Sequence, residues 1–299
     1  MKKQIIILFT GLTLLSSCYD AMNEVPLERM PPEIAFKDSL KVEMFVNELY
    51  VGLNTGIGGY NSFGGGAANQ NSFFDCVTDL GVLSPRGTNT AINSFTGATF
   101  HSGSGGNTDS RWAQVYQYMR KTNVVLEYIH YCEQLSQAKM AQYVGEAKLH
   151  KALLHYEMLK RYGGITIMDD LFAGGNIELP RNTFDECVEY IVRLCEEAAG
   201  GLPLRYPDND YGRLTKGAAL GLKAKVLLYA ASPLFNENPI AGTTEIQRYA
   251  SPDDRRWERA AKAALDVINL RMPNGAPAYE LFPSYERLFF TREGNHEFL

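Results

Sequence analysis

The sequence predicts a mainly α-helical chain of stacked helix pairs joined by long loops, and three observations carry that prediction. Apolar residues recur at helical spacing in six segments along the chain. Helix start and stop residues bracket several of these segments. No strand ladder of note is visible in the apolar pattern.

Lys2 and Lys3 precede an apolar run from Ile5 to Leu15, about eleven residues, the length of a secretory leader's core and too short for the ~20 residues that span a bilayer. The run ends at Leu15-Ser16-Ser17-Cys18, which resembles a bacterial lipobox. Residues 1–17 are therefore expected to be a lipoprotein signal peptide and Cys18 the lipidated residue. Several acyl chains on one residue hold a soluble domain to a membrane, at ~0.8 kcal/mol per buried CH₂. Residues 18–36, with Pro26, Pro31 and Pro32 among polar residues, read as a tether. The helical domain is expected over 37–299.

In its first helix Val42, Phe45, Val46, Leu49 and Leu53 share a face. Trp112, Val115, Tyr116, Met119, Leu126 and Ile129 mark the second. The third, over roughly 139–162, is apolar on more than one side through Tyr143, Val144, Leu149, Leu153, Leu154 and Met158, so it should lie between neighbours. It stops at Gly163-Gly164, and Ile165-Thr166-Ile167 follows as an extended stretch. The fourth opens on a capping box, Thr183-x-x-Glu186, and carries Phe184, Cys187, Val188, Ile191, Leu194, Cys195 and Ala198 at helical spacing. The fifth covers about 215–231 and ends before Pro233. In the sixth, Ser251-Pro252-Asp253-Asp254 is read as a cap with proline at the first helical position, and Trp257, Ala260, Ala261, Ala264 and Ile268 as the buried stripe. Gly145-x-Ala147-x4-Ala152 recurs as Gly217-x-Ala219-x4-Ala224, an offset of 72 residues. Two repeats of about 34 residues fit that offset, which points to tetratricopeptide-like stacking.

Between the first two helices, residues 54–111 hold twelve glycines and seven asparagines but only five charged side chains. Loops of this length without regular structure of their own are usually functional or disordered, and aromatics scattered in a low-charge background argue against plain disorder.

The net charge is −5, or −7 once the leader takes Lys2 and Lys3 with it and leaves 27 basic against 34 acidic residues; no basic run suggests nucleic acid. Cys187 and Cys195 lie eight residues apart on one helix, about 12 Å of rise, which excludes a direct bridge. Cys76, Cys132, Cys187 and Cys195 form no CxxC or Cys/His cluster, so buried free thiols and no metal are expected. His150 and His155 are five apart and miss the i, i+4 face of a helical metal pair; they are read as ordinary polar residues, as is His296. Asp208-x-Asp210-x-Gly212 lacks the remaining ligands of a calcium loop and is read as a turn. Glu146, Lys148, Lys216, Lys223 and Lys225 are taken as solvated faces, and Arg161-Tyr162-Gly163-Gly164 as helix termination and packing.

The segments 145–165, 179–203 and 212–236, with RWAQVYQYMRKTNVVLEYI (111–129, including Asn123) and WERAAKAALDVIN (257–269), together resemble the SusD/RagB family of Bacteroidetes surface lipoproteins. Members are usually considerably longer, so the chain is expected to correspond to the N-terminal part. The resemblance implies a SusD-like tetratricopeptide scaffold, lipid-anchored in the outer membrane and facing the cell exterior. It implies capture of oligosaccharide, without cofactor or catalysis, for import through a partner TonB-dependent porin. Binding aromatics of the family come from loops. Here Phe95 and Phe100 are the candidates for stacking on a sugar ring, Arg86, Asn89 and Asn93 for hydrogen bonds to its hydroxyls, and Tyr60 and Phe63 follow as second choices. The alternative for each aromatic is to pin the loop to the helices. Peptide capture, a lipid-anchored glycoside hydrolase and a pure interaction scaffold are the competing functions.

Overall fold

The computed structural model describes residues 30–53, 79, 112–171, 178–237, 241–291, 295 and 297. The chain begins there with a short turn, α1 (Pro32–Ala35), and α2 (Ser39–Val51). Four long helices follow: α3 (Trp112–Tyr128), α4 (Gln137–Tyr162), α5 (Phe184–Gly201) and α6 (Lys216–Ala231). The last three are α7 (Pro233–Asn236), α8 (Arg255–Ile268) and α9 (Tyr285–Leu288). No strand occurs among the described residues; a single bridge joins Arg271 and Pro277.

Each long helix packs on the next, α3 on α4, α4 on α5, α5 on α6 and α6 on α8, while α2 lies against α3 and α4. Such sequential stacking is what a helical-repeat array requires, since one amphipathic unit cannot bury its apolar face alone. The starts are set by side chains that accept otherwise unsatisfied N–H groups. Asp38 accepts from Leu40, Ser136 from Lys139 and Thr215 from Ala218. Thr183 and Glu186 form the reciprocal capping box expected.

The two-sided apolar pattern of the third predicted helix is explained by its place. α4 contributes Leu149, Ala152, Leu154, Met158 and Leu159 to the main core with α5 and α6, and Tyr143 and Ala147 to a smaller core with α1 and α2. Gly145 lets α4 approach α5, because a Cβ there would lie 3.0 Å from the Ala198 carbonyl oxygen. Its repeat counterpart Gly217 makes room instead for the Tyr279 side chain.

Five readings change. The packed part starts before residue 37: Ala35 and Phe36 are buried, and the Phe36 ring stacks on Phe45 with centroids 4.9 Å apart, so the tether does not run through 36. Phe45 and Trp112, expected in buried stripes, are each more than a third exposed. Ser251-Pro252 does not cap the sixth predicted helix, which begins at Arg255. Asn236 holds the Asp253 peptide from both sides, at 2.9 and 3.0 Å, and the Asp253 carboxylate accepts from the Arg255 N–H. The same helix turns Ala260 and Ala263 inward and leaves Trp257, Ala261, Ala264 and Ile268 exposed. Its apolar arc is wider than its contact with α6, so the centre of the arc did not predict the contact. Finally, Glu146 is wholly buried rather than solvated.

Gly163 ends α4 at φ +70, ψ −143, a region open essentially to glycine alone, and a Cβ there would run into the Ile246 carbonyl oxygen. Gly163→Ala is expected to cost at least about 2 kcal/mol. Urea unfolding would read it, and a loss below about 0.5 kcal/mol would show that the turn relaxes freely.

Candidate ligand-binding site

Cys18 and the candidate ligand-binding residues Tyr60, Phe63, Arg86, Asn89, Asn93, Phe95 and Phe100 lie outside the described residues, as does Cys76. What the structure gives is the frame from which residues 54–111 depart and to which they return. Gly52, at the end of α2, lies against the ring of Tyr118 in α3, and Lys121 reaches back to Glu48 at 2.7 Å. Departure and return are therefore fixed to each other across the α2–α3 contact.

At the return point stands an aromatic group that the sequence reading assigned to the core. Trp112 is 37% exposed, tilts against Tyr116 and meets Tyr162 edge-on, both at centroid distances of 5.2 Å. Edge and offset contacts of this kind hold rings in place more firmly than area alone. The Tyr116 hydroxyl donates to the Thr166 carbonyl at 2.8 Å, and Arg181 donates to the carbonyls of Gly164 and Tyr162. The cluster thus stands on the extended stretch that follows α4, and it presents a flat apolar surface at the start of α3. Its signal was in the sequence: a tryptophan at the very first turn of a helix, next to a glycine- and asparagine-rich stretch.

Two polar assemblies, one around a buried carboxylate and one around a buried ammonium, hold this frame. The Glu146 carboxylate accepts from Arg213 at 3.0 Å, from the Tyr50 hydroxyl at 2.8 Å and from Gln142 at 2.7 Å. Tyr50 in turn accepts from the Leu214 N–H at 2.9 Å, and Arg213 also pairs with Asp210 and Glu43. Burial and the adjacent Glu146 carboxylate push the Tyr50 phenol well above its usual range, so it stays a donor. In this way α2, α4 and the 206–214 stretch are tied through one carboxylate. The second assembly centres on Asp169, which accepts from the buried Lys151 ammonium at 2.5 Å and from the Tyr190 hydroxyl. Burial works to raise the Asp169 carboxyl, but these hydrogen bonds outweigh it and hold it below the ordinary value. Asn123, singled out in the sequence, is buried and donates to the Met168 carbonyl at 3.0 Å, pinning the same stretch to α3.

Cys132, Cys187 and Cys195 are buried free thiols, and burial pushes the Cys195 thiol up to about 12, which makes it inert. Among the described residues no group of His, Cys, Asp and Glu is arranged to hold a metal ion. Asp208–Asp210 forms a 3₁₀ turn followed by Gly212 at positive φ, as the turn reading expected.

A family model described as SusD-like, starch-binding and associating with the outer membrane, matches residues 27–228, about two thirds of the chain. A SusD-like protein of Bacteroides ovatus is 25% identical over 194 residues, 64% of this chain and 32% of the relative. Among solved structures, a laminarin-binding SusD-like protein is similar with a TM-score of 0.64 at 17% identity, covering 85% of this chain and 48% of its own. Surface glycan-binding protein A of Bacteroides thetaiotaomicron, in complex with laminarihexaose, is similar at 0.58 and 18%, covering 87% and 47%. The chain spans less than half the length of each of the three. At these identities the two structures establish a shared helical fold.

Proposed function

Because the chain belongs to the SusD-like family of starch-binding proteins associating with the outer membrane, we propose that it is a surface-exposed, non-catalytic glycan-binding lipoprotein. It captures oligosaccharides for import through a partner TonB-dependent porin, held to the outer membrane by acyl chains on Cys18. The observation that carries this reading is the family match over residues 27–228. Fold neighbours that bind laminarin and laminarihexaose support the ligand class. The lipobox before Cys18 supports the anchor. Residues 54–111 supply the chemistry: Phe95 and Phe100 stack on the sugar, Arg86, Asn89 and Asn93 take its hydroxyls, and Tyr60 and Phe63 are the second choices for contact.

Affinity electrophoresis of a soluble form starting at residue 19, against a panel of polysaccharides, tests the reading. Retardation by one glycan class without cleavage is expected. Phe95→Ala combined with Phe100→Ala is expected to weaken that binding roughly five- to 150-fold, about 1–3 kcal/mol for two stacking rings, with the helical spectrum unchanged. Full affinity in the folded double variant would remove both rings from the site. Cleavage of the glycan would make the protein a lipid-anchored glycoside hydrolase, and no retardation by any polysaccharide would favour peptide capture.

A further inference from the structure

A cleft of about 430 Å³ opens between the first half of α5 and the start of α8, remote in sequence from residues 54–111. Its floor is Leu227 of α6 and Tyr249. Tyr249 is only 5% exposed and is fixed on two counts: Phe184 meets it edge-on at 5.2 Å, and the Arg256 guanidinium lies 3.5 Å from its ring centroid. Arg256 is itself held by the Asn236 amide oxygen at 2.5 Å and the Ser251 carbonyl at 2.8 Å. The floor is therefore rigid before any ligand arrives, which lowers the ordering cost of binding.

The walls carry four acidic and four basic side chains, so the cleft has no net charge with which to draw in an ion. Much of that charge is already engaged. Arg259 takes Glu189 through two nitrogens, and Arg255 takes Asp253 through two. Four side chains are left over: Glu258 and Lys262 on the α8 wall, Asp185 on the α5 wall and Tyr249 in the floor. Among the described residues the Tyr249 hydroxyl makes no hydrogen bond, and the Asp185 carboxylate makes neither a hydrogen bond nor an ion pair. The Tyr249 ring is nine-tenths buried, yet its hydroxyl is not among the enclosed polar atoms, so the one exposed end of the side chain faces the cleft and is open to a ligand. Burial, with Asp185 nearby, pushes the phenol up to about 12, so at neutral pH it remains an O–H donor that can also accept.

We propose that this cleft is a second, monosaccharide-sized sugar site, in which the Asp185 carboxylate and the Tyr249 hydroxyl take neighbouring hydroxyl groups of one neutral pyranose ring. A neutral polyol suits it better than an ion because each hydroxyl donates and accepts at once, matching an acceptor-only carboxylate beside a phenol. The volume admits a small ligand and no long chain. The ring is gripped by its edge, since Arg256 already occupies a face of Tyr249. The proposal rests on the glycan-binding reading for its ligand class and extends it to a separate place on the scaffold.

Saturation-transfer difference NMR with glucose, galactose, mannose and N-acetylglucosamine tests it on the wild type, Tyr249→Phe and Asp185→Asn. Tyr249→Phe keeps the ring contacts with Phe184 and Arg256, and Asp185 is exposed, so both variants should fold. One neutral hexose is expected to bind with millimolar affinity, and each substitution to weaken it roughly tenfold with an unchanged melting temperature. Equal binding in all three proteins, binding of none of the four sugars, or a signal from glycylglycine in place of a sugar would each overturn the proposal. Polysaccharide electrophoresis of the same proteins separates the two readings. Retardation that persists while the hexose result fails removes only the cleft, whereas a Tyr249-dependent hexose signal without any retardation removes only the polysaccharide reading.

Discussion

Arg213→Met is expected to destabilise the protein by about 3–5 kcal/mol, the loss that follows when one partner of a buried ion pair is removed. Glu146 has no exposed side-chain surface, and the Arg213 guanidinium is its only cationic partner among the described ion pairs. Tyr50 and Gln142 would still donate to the carboxylate, but neither neutralises it. Exposed pairs in the same protein set the contrast. Lys121 and Glu48, each nearly half exposed, should contribute about 0–1 kcal/mol, because water and salt screen them. The combined variant Arg213→Met with Glu146→Gln should recover much of the loss, since no buried charge remains to be compensated. Urea unfolding of the two variants and the wild type decides the matter. A loss below about 1 kcal/mol in Arg213→Met would mean that the neutral hydrogen bonds from Tyr50, Gln142 and, at 3.4 Å, the Tyr206 hydroxyl suffice, and that Glu146 is not what ties α2 to the 206–214 stretch.

The Glu146 case also shows where sequence reasoning stops. Helix positions were legible because they rest on local chemistry: Thr183 and Glu186 close a capping box four residues long, and Gly163 ends α4 where only glycine fits. The two-sided helix α4 was legible because apolar residues on opposite arcs need neighbours on both. The environment of Glu146 was not. Its partners Tyr50 and Arg213 lie 96 and 67 residues away, and a Glu two residues before Lys148 on a helix looks like any solvated face. Trp257 and Ile268 failed for the opposite reason. Their spacing correctly marks an apolar arc, but how much of an arc a neighbour covers depends on the neighbour's position, which periodicity does not encode. The cleft floored by Tyr249 belongs with Glu146, since α5, α6, α8 and the 249–256 stretch meet there only in three dimensions. Of the proposed binding segment, composition marked residues 54–111, while local chemistry placed Trp112 at the start of the helix that follows but did not give its exposure.

Between pH 6.5 and 4.5 the protein is expected to lose about 5 kcal/mol of stability, through two histidines that the sequence left as ordinary polar residues. His150 and His155 are wholly buried in α4. Burial holds the His150 imidazole down to about 3, and neither of its nitrogens has a hydrogen-bond partner among the described residues. Its nearest ring is Tyr50, edge-on at 4.4 Å. Burial also holds His155 down, to about 4, although its Nδ1 lies 2.7 Å from the Lys151 carbonyl and the Asp169 carboxylate works the other way. Well above pH 6.5 both residues are neutral in the folded and the unfolded chain, so they add no pH dependence there. Below it the unfolded chain takes up two protons that the folded chain refuses, and stability falls by about 1.4 kcal/mol per pH unit for each histidine. The fall continues until the folded values are reached. Carboxylates held low in the fold, such as Asp169 and Glu157, lose their own contribution as the pH drops through the ordinary carboxylate range, so the part of the window above about pH 5 belongs to the histidines. His150→Leu removes one of the two slopes and, because an unpaired imidazole gives way to an apolar side chain, should leave stability at pH 7 equal or higher. Urea unfolding at half-unit steps from pH 7 to 4.5 reads the slope directly. A flat profile, or one that His150→Leu leaves unchanged, would mean that His150 takes up its proton without cost, and that α4 opens to water far more readily than its packing between two cores implies.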